Sequence, residues 1–196
     1  MTGSLTDHSA ATARHTPLTV AELALRAGRP EEAAALSALA LRSKAFWGYS
    51  ASFMAAVTPE LTLTEDQAAG AVVAQVDGEI GGFHLLGPTR GRSAGTEPES
   101  AVAELDMLFV DPQFIGTGLG RVLYEDARAR AVAQGYRRML IEADPHSLTF
   151  YLRLGAVEVG ERLSRAIPGR SLPLLEVTLR TSGGGSVGAG RASYWR

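Results

Sequence analysis

A glycine-rich turn between an apolar segment and an amphipathic one constrains this chain more than any other feature. LDMLFVDP, ending at Pro112, leads into FIGTGLGRVLYEDARARA, which runs from Phe114 to Ala131 and carries Gly116, Gly118 and Gly120 at alternate positions. Closely spaced glycines let backbone N–H groups converge where a strand hands over to a helix, and the helix N-terminus adds a field that favours an anion. The pattern therefore predicts a strand, a tight cradle and a helix in succession, and the cradle fits a pyrophosphate. No Lys followed by Ser or Thr comes after the glycines, so this is not a Walker loop. A dinucleotide fingerprint fits poorly, because it belongs in a first βαβ unit with an acidic residue about 20 positions on. These glycines lie past the middle of a chain of 196 residues. A turn and helix start that bind nothing is the plain alternative.

The rest of the chain mixes the two periodicities. RPEEAAALSALALRSKAF has an early Pro, early Glu residues and recurrent Leu and Ala, and it reads as a helix. A second helix is expected from Tyr49 to Val57, ending before Pro59. AVVAQVDGEIGGFHLLG reads as two strands joined at Asp77-Gly78, a short-turn signal. Ala101 to Val110 is the next strand, followed by a helix from near Gly118 to near Gly135. MLIEA reads as a short strand, SLTFYLRLG as a short helix closed by Gly155, and AVEVGE and PLLEVTLR as the last strands. This order predicts a mixed α+β or mixed-sheet α/β domain rather than a doubly wound one.

Composition narrows the function classes. With 19 basic and 21 acidic residues the net charge is -2, which gives no global argument for nucleic acid or an anionic membrane. The absence of cysteine excludes disulfides, thiol nucleophiles and cysteine metal sites, and the four scattered histidines show no ligand spacing, so no metal site is expected. The first residues lack the apolar core of a secretory signal, and no apolar run reaches spanning length; a soluble, cytoplasmic protein is expected. Three segments are expected: a flexible extension over 1–16, a domain over 17–181, and a Gly/Ser-rich tail over 182–196. Gly87 to Ser100 reads as a long loop between strands. The tail's Tyr194 and Trp195 could dock on the body or on a second subunit.

The hairpin, the strand ending at Val110, FIGTGLG with its helix, and ADPHSLTFYLRLGAVEVGE form an ordered set that resembles the GCN5-related N-acetyltransferase superfamily over roughly residues 17 to 181. Through ALALRSKAFWGY, DPHSLTFYLRLGA and IPGRSLPLLEVTL the chain also resembles a bacterial subgroup of small acetyltransferases of unsettled substrate. The resemblance implies an α/β (mixed α+β) fold with a central, mostly antiparallel, twisted sheet flanked by helices. It further implies acetyl-coenzyme A as cofactor, direct attack by an amine in a ternary complex, a small-molecule or protein amine as acceptor, and a homodimer.

Residue by residue, the resemblance gives Ile115, Gly116, Thr117, Gly118, Leu119 and Gly120 to the pyrophosphate, with Ile115 standing where Arg or Gln is usual; Arg121 or a more distant Lys or Arg could add charge, and the resemblance does not single one out. The main chain of Leu108, Phe109 and Val110 would meet the acetyl carbonyl and the pantetheine arm. Asp144 takes the place of an Asn that contacts that arm; His146 could compensate, and Phe150 could line the path. Glu104 matches a general base and Tyr151 a general acid. Strict alternation would put Glu104, Asp106, Leu108 and Val110 on one side of the strand, with Leu105, Met107 and Phe109 on the other, which makes Asp106 the rival base or a substrate contact. Trp47, Tyr49 and His84 are acceptor-side candidates, Phe53 a packing residue, and Arg165 and Arg170 possible carboxylate contacts. A noncatalytic acyl-coenzyme A sensor and a protein-interaction module are the alternative functions.

Overall fold

The computed structural model describes residues 23–88 and 102–179, so the expected terminal extension and tail, and the loop residues from 89 to 101, lie outside the described residues. The chain begins with β1 (Leu23–Ala27), α1 (Ala33–Ala45), α2 (Ala51–Val57) and α3 (Glu65–Gly70). It continues through β2 (Val72–Val76), β3 (Glu79–Pro88), β4 (Val102–Val110) and α4 (Leu119–Ala133). The last elements are β5 (Arg138–Glu142), α5 (Leu148–Arg153), β6 (Val157–Leu163) and β7 (Ser171–Thr178). The strands form one seven-stranded sheet in the order β1-β2-β3-β4-β5-β7-β6, antiparallel throughout except at β4–β5.

Local chemistry sets the element ends. The Ser50 hydroxyl accepts from the Phe53 N–H at the start of α2. Six-residue α3 is too short to announce itself by apolar periodicity, but Thr64 and Gln67 close a capping box at its start. The Asp77-Gly78 turn has φ 50° and 83°, the paired left-handed geometry of a two-residue hairpin.

Helices cover both sheet faces. On one, α4 and α5 pack Tyr124, Ala127 and Tyr151 against Leu105, Met139, Ile141 and Leu175. On the other, Leu36, Leu39 and Ala40 of α1 and Ala68 of α3 pack against Val73, Phe83 and Met107. Each fully buried Leu contributes about 1.5–3 kcal/mol.

Strict alternation along β4 fails at one residue, and the failure decides what faces where. Leu85 pairs with Met107 but the adjacent Leu86 pairs with Leu105, leaving Asp106 as the extra residue of a bulge. The phase reverses there. Ala103, Leu105, Leu108 and Val110 pack on the α4 side, whereas Met107 and Phe109 join the α1 cluster. Glu104 lines a cavity together with Met107 and Phe109, not with Leu108 and Val110 as alternation predicts.

Candidate active site

The parallel pair β4–β5 is short. Only Val102 to Leu105 pair with Arg138 to Ile141, while β4 continues to Val110 with no β5 partner. The pair therefore forks, and β4 from Met107 to Val110 has no β5 strand beside it. β5 turns away into α5, which carries Phe150 and Tyr151.

The glycine turn closes the tip of the fork. Asp111 caps a short 3-10 turn by accepting from the Gln113 N–H at 3.3 Å, and the Thr117 hydroxyl donates to the Phe114 carbonyl at 2.8 Å. Gly116 and Gly118 have φ 86° and 95°, which L side chains rarely adopt. Gly118 is the N-cap of α4 and no side chain caps that end, so the N–H groups of Leu119 and Gly120 have no acceptor within the helix. Gly120 differs from the other two glycines: a Cβ there would meet Phe150 and Val110 at 3.6 Å, an ordinary contact. The geometry thus demands glycine at two of the three positions. Ile115 is half-buried, Leu119 is buried in the core, and Arg121 is largely exposed and pairs with Glu125 at 2.7 Å. Only the main chain of Leu119 is placed to meet a ligand. The side chains of Leu108 and Val110 pack into the core as well, and that of Phe109 lies against Phe83 with ring centroids 5.9 Å apart.

Across β4 lies a cavity of about 600 Å³, lined by Glu104, Asp106, Met107, Phe109, Glu142 and Arg165 among others. Glu104 is only 2 % exposed, and its Oε1 accepts from Arg162 at 2.7 Å. Arg162 also stands 3.5 Å from Glu142, bridging two carboxylates from β6. Sequence reasoning missed both Arg162 and Glu142. A register shift between Glu158 and Gly160 breaks the alternation of β6 just before Arg162, so no periodic signal marks where it points. Arg165 pairs with Glu60 at 3.5 Å at the rim.

On the α4 side, Tyr151 is buried with its ring 5.0 Å from Phe150 and 5.6 Å from Tyr124. Burial, aided by the Tyr124 phenol, pushes the Tyr151 hydroxyl above the usual tyrosine range. It is a protonated donor throughout the neutral range.

Asp144, His146, Trp47 and Tyr49, which the resemblance divides between coenzyme and acceptor, come together as one cluster. The Asp144 carboxylate accepts from the Tyr49 hydroxyl at 2.8 Å and from the His146 N–H at 2.9 Å, and it pairs with Lys44. Arg170 stands 3.6 Å from it and donates to the Tyr49 oxygen at 3.3 Å. Trp47 stacks on His146, and Tyr49 stacks on Phe53 at 4.1 Å, so Phe53 packs as expected. Burial pushes the Asp144 carboxyl up, but Lys44, the His146 N–H and Tyr49 outweigh it and hold the group below its ordinary value. The cluster ties α1 and α2 to the start of α5 and to the β6–β7 turn, so the carboxylate is spent on the fold around the site. Asp144→Asn removes the charge that separates Lys44 from Arg170. We expect a loss of about 2 kcal/mol, read as a fall of about 4–8 °C in calorimetric melting temperature at neutral pH. The depressed carboxyl fixes the sign: the contribution is present above the unfolded pKa and fades as pH falls through the folded one. An unchanged melting temperature would show that the cluster adds nothing.

His84 does not reach the acceptor side. It is 1 % exposed, faces α4 and shares Nε2 with Asp126 at 2.8 Å, and burial lowers its pKa against the raising effect of that carboxylate. A base or acceptor contact does not fit a ring sealed on that face, because the cavity opens on the opposite one. Among the described residues, no group of three or more His, Cys, Asp or Glu could hold a metal ion, and no helix is long and apolar enough to cross a membrane.

Residues 36–156 match the family model described as acetyltransferase (GNAT) family. No curated protein matches the sequence. A GCN5-related N-acetyltransferase from Rhodopseudomonas palustris superposes with a TM-score of 0.63 at 20% identity, covering 85% of this chain and 100% of its own. The PaiA N-acetyltransferase of Thermoplasma acidophilum, in complex with coenzyme A, gives 0.62 at 16% identity, covering 80% and 98%. YncA of Salmonella typhimurium, with its cofactor acetyl-CoA, gives 0.58 at 16% identity, covering 84% and 98%. At these identities the structures speak for the fold.

Proposed function

The chain belongs to the acetyltransferase (GNAT) family, and from that premise we propose that it transfers an acetyl group from acetyl-coenzyme A to an amine within a ternary complex. One observation carries the reading: the stretch of β4 released from β5 ends at the glycine cradle and also lines the cavity that holds Glu104. A donor and an acceptor on the two sides of that strand would meet at its main chain.

The residues fit the coenzyme. The uncapped α4 terminus and the left-handed Gly116 and Gly118 leave converging N–H groups for a pyrophosphate, and β4 from Met107 to Val110 runs along the fork beyond its pairing with β5. When bound, the coenzyme supplies an acetyl thioester. Main-chain N–H groups near Leu108 to Val110 would hold the acetyl oxygen as it gains charge. Glu104, directly or through water, takes the proton from the attacking amine. Tyr151 would donate its hydroxyl proton to the departing thiolate sulfur. Trp47 and Tyr49 are held by His146 and Asp144 outside the lining of the cavity that holds Glu104, so their acceptor-side role rests on the resemblance alone.

The acceptor is a small-molecule amine on this reading, with a protein amine second. Val157, Val159 and Leu163 are exposed on the edge strand β6, which supports a second copy of the chain as partner. The buried pair of Glu104 with Arg162 favours the rival reading of a coenzyme sensor, since the base is already engaged. The deciding experiment measures free thiol released from acetyl-coenzyme A across a panel of primary amines, with mass detection of one acetyl group gained. An acetylated acceptor supports transfer; tight coenzyme binding with no transfer to any amine favours the sensor.

A further inference from the structure

Tyr124 has no part in the reaction described above, yet among the described residues it is the largest fully buried side chain and its hydroxyl has no hydrogen-bond partner. Leaving a buried hydroxyl unpaired costs about 1–3 kcal/mol. Phe would fill the same space without that cost. Burial raises the phenol's pKa against the lowering effect of Arg128, so the group is neutral and can both donate and accept.

Its position suggests what the hydroxyl is for. The Tyr124 ring packs edge-to-face against Phe150 at 6.1 Å and Tyr151 at 5.6 Å. Phe150 in turn covers Gly120 beside Val110, each 3.6 Å from where a Cβ would stand on that glycine. Tyr124 therefore packs behind the ring that covers the glycine cradle and beside the general acid. One turn on, Arg128 lies 5.7 Å from the Tyr124 ring, and its buried Nε is also without a partner. Two unpartnered polar groups on adjacent turns of one helix are poor core design unless something polar comes between the elements.

We propose that Tyr124 is a further coenzyme-binding residue whose hydroxyl hydrogen-bonds an amide of the pantetheine arm. The inference rests on the acetyl-coenzyme A reading. The arm carries amide N–H and C=O groups between the pyrophosphate and the sulfur, and each needs a partner once it leaves water. The released edge of β4 can serve one side of the arm. Tyr124, approaching from α4, serves another, and a phenol matches either half of an amide.

The test compares the full-length chain with Tyr124→Phe by calorimetric titration of coenzyme A and of adenosine 3′,5′-bisphosphate, which lacks the arm, together with the ligand-free melting temperature. We expect coenzyme A to bind about tenfold more weakly to the variant, the bisphosphate equally, and the melting temperature to hold or rise as the unpaired hydroxyl is removed. Equal coenzyme affinity in the two proteins overturns the contact alone. Equal weakening of both ligands overturns it in favour of a distorted cradle, and a lowered melting temperature in favour of a structural hydroxyl. Failure of the unaltered chain to bind coenzyme A overturns the function reading itself, and this one with it.

Discussion

Tyr151→Phe is expected to lower kcat by about 100- to 1,000-fold while leaving the fold and the coenzyme Kd intact. The ring stays in its packed place against Phe150 and Tyr124, and only the oxygen goes. What is lost is the proton for the departing sulfur, which must then leave as a bare thiolate. Pre-steady-state thiol release and coenzyme titration on the same preparation check this. A variant that keeps full kcat would remove Tyr151 from the chemistry. The three shifted phenols have a second readout. Burial pushes Tyr49 up to about 12, helped by Asp144, and raises Tyr124 and Tyr151 as well. Each is more readily ionised in the unfolded chain, so stability is full below the ordinary tyrosine value of 10.0 and falls as pH rises beyond it. Melting curves recorded above that pH should decline less steeply for Tyr151→Phe than for the parent chain.

The parts of the site written in backbone chemistry were legible in the sequence; those that depend on side chains meeting from distant strands were not. Gly116 and Gly118 announce the cradle because few other residues tolerate their φ, and Asp77-Gly78 announces the hairpin for the same reason. Gly120 carries the same letter without the same need, since a Cβ would fit there. The single-residue bulge at Asp106 has no signature of its own, yet it turns the face on which every later residue of β4 lies. That is why Glu104 keeps company with Met107 and Phe109. The resemblance fixed Asp144 by its spacing from Tyr151, but Lys44 lies 100 residues away in sequence and nothing local foretells that it reaches the carboxylate. His84 misled for a related reason: polarity suggested a site, whereas the ring is buried on the α4 face with its Nε2 on half-buried Asp126. Arg162 was invisible because a register shift precedes it.

Glu104→Gln carries the other large effect, and the Arg162 pair determines how it must be tested. Glu104→Ala would leave the half-buried Arg162 with Glu142 at 3.5 Å and would open a void at the buried Glu104 position, so lost activity could then report altered structure. Gln keeps a carbonyl oxygen to accept from Arg162, which retains Glu142 at 3.5 Å as well. With folding and coenzyme Kd preserved, kcat/KM for the amine is expected to fall about 100-fold at neutral pH. The pH profile separates a base from a binding group. Without Glu104 only the fraction of amine already deprotonated in water can attack, so the variant's rate should climb about tenfold per pH unit below the amine's own pKa. The parent chain should climb less steeply, because it removes that proton on the protein. Asp106→Asn, on the bulge beside it, is the control and should change kcat/KM by no more than a few-fold, as expected of a residue that shapes the strand. If the two variants exchange behaviours, Asp106 is the base and Glu104 an anchor for Arg162; if both profiles parallel that of the parent, neither carboxylate handles the amine proton.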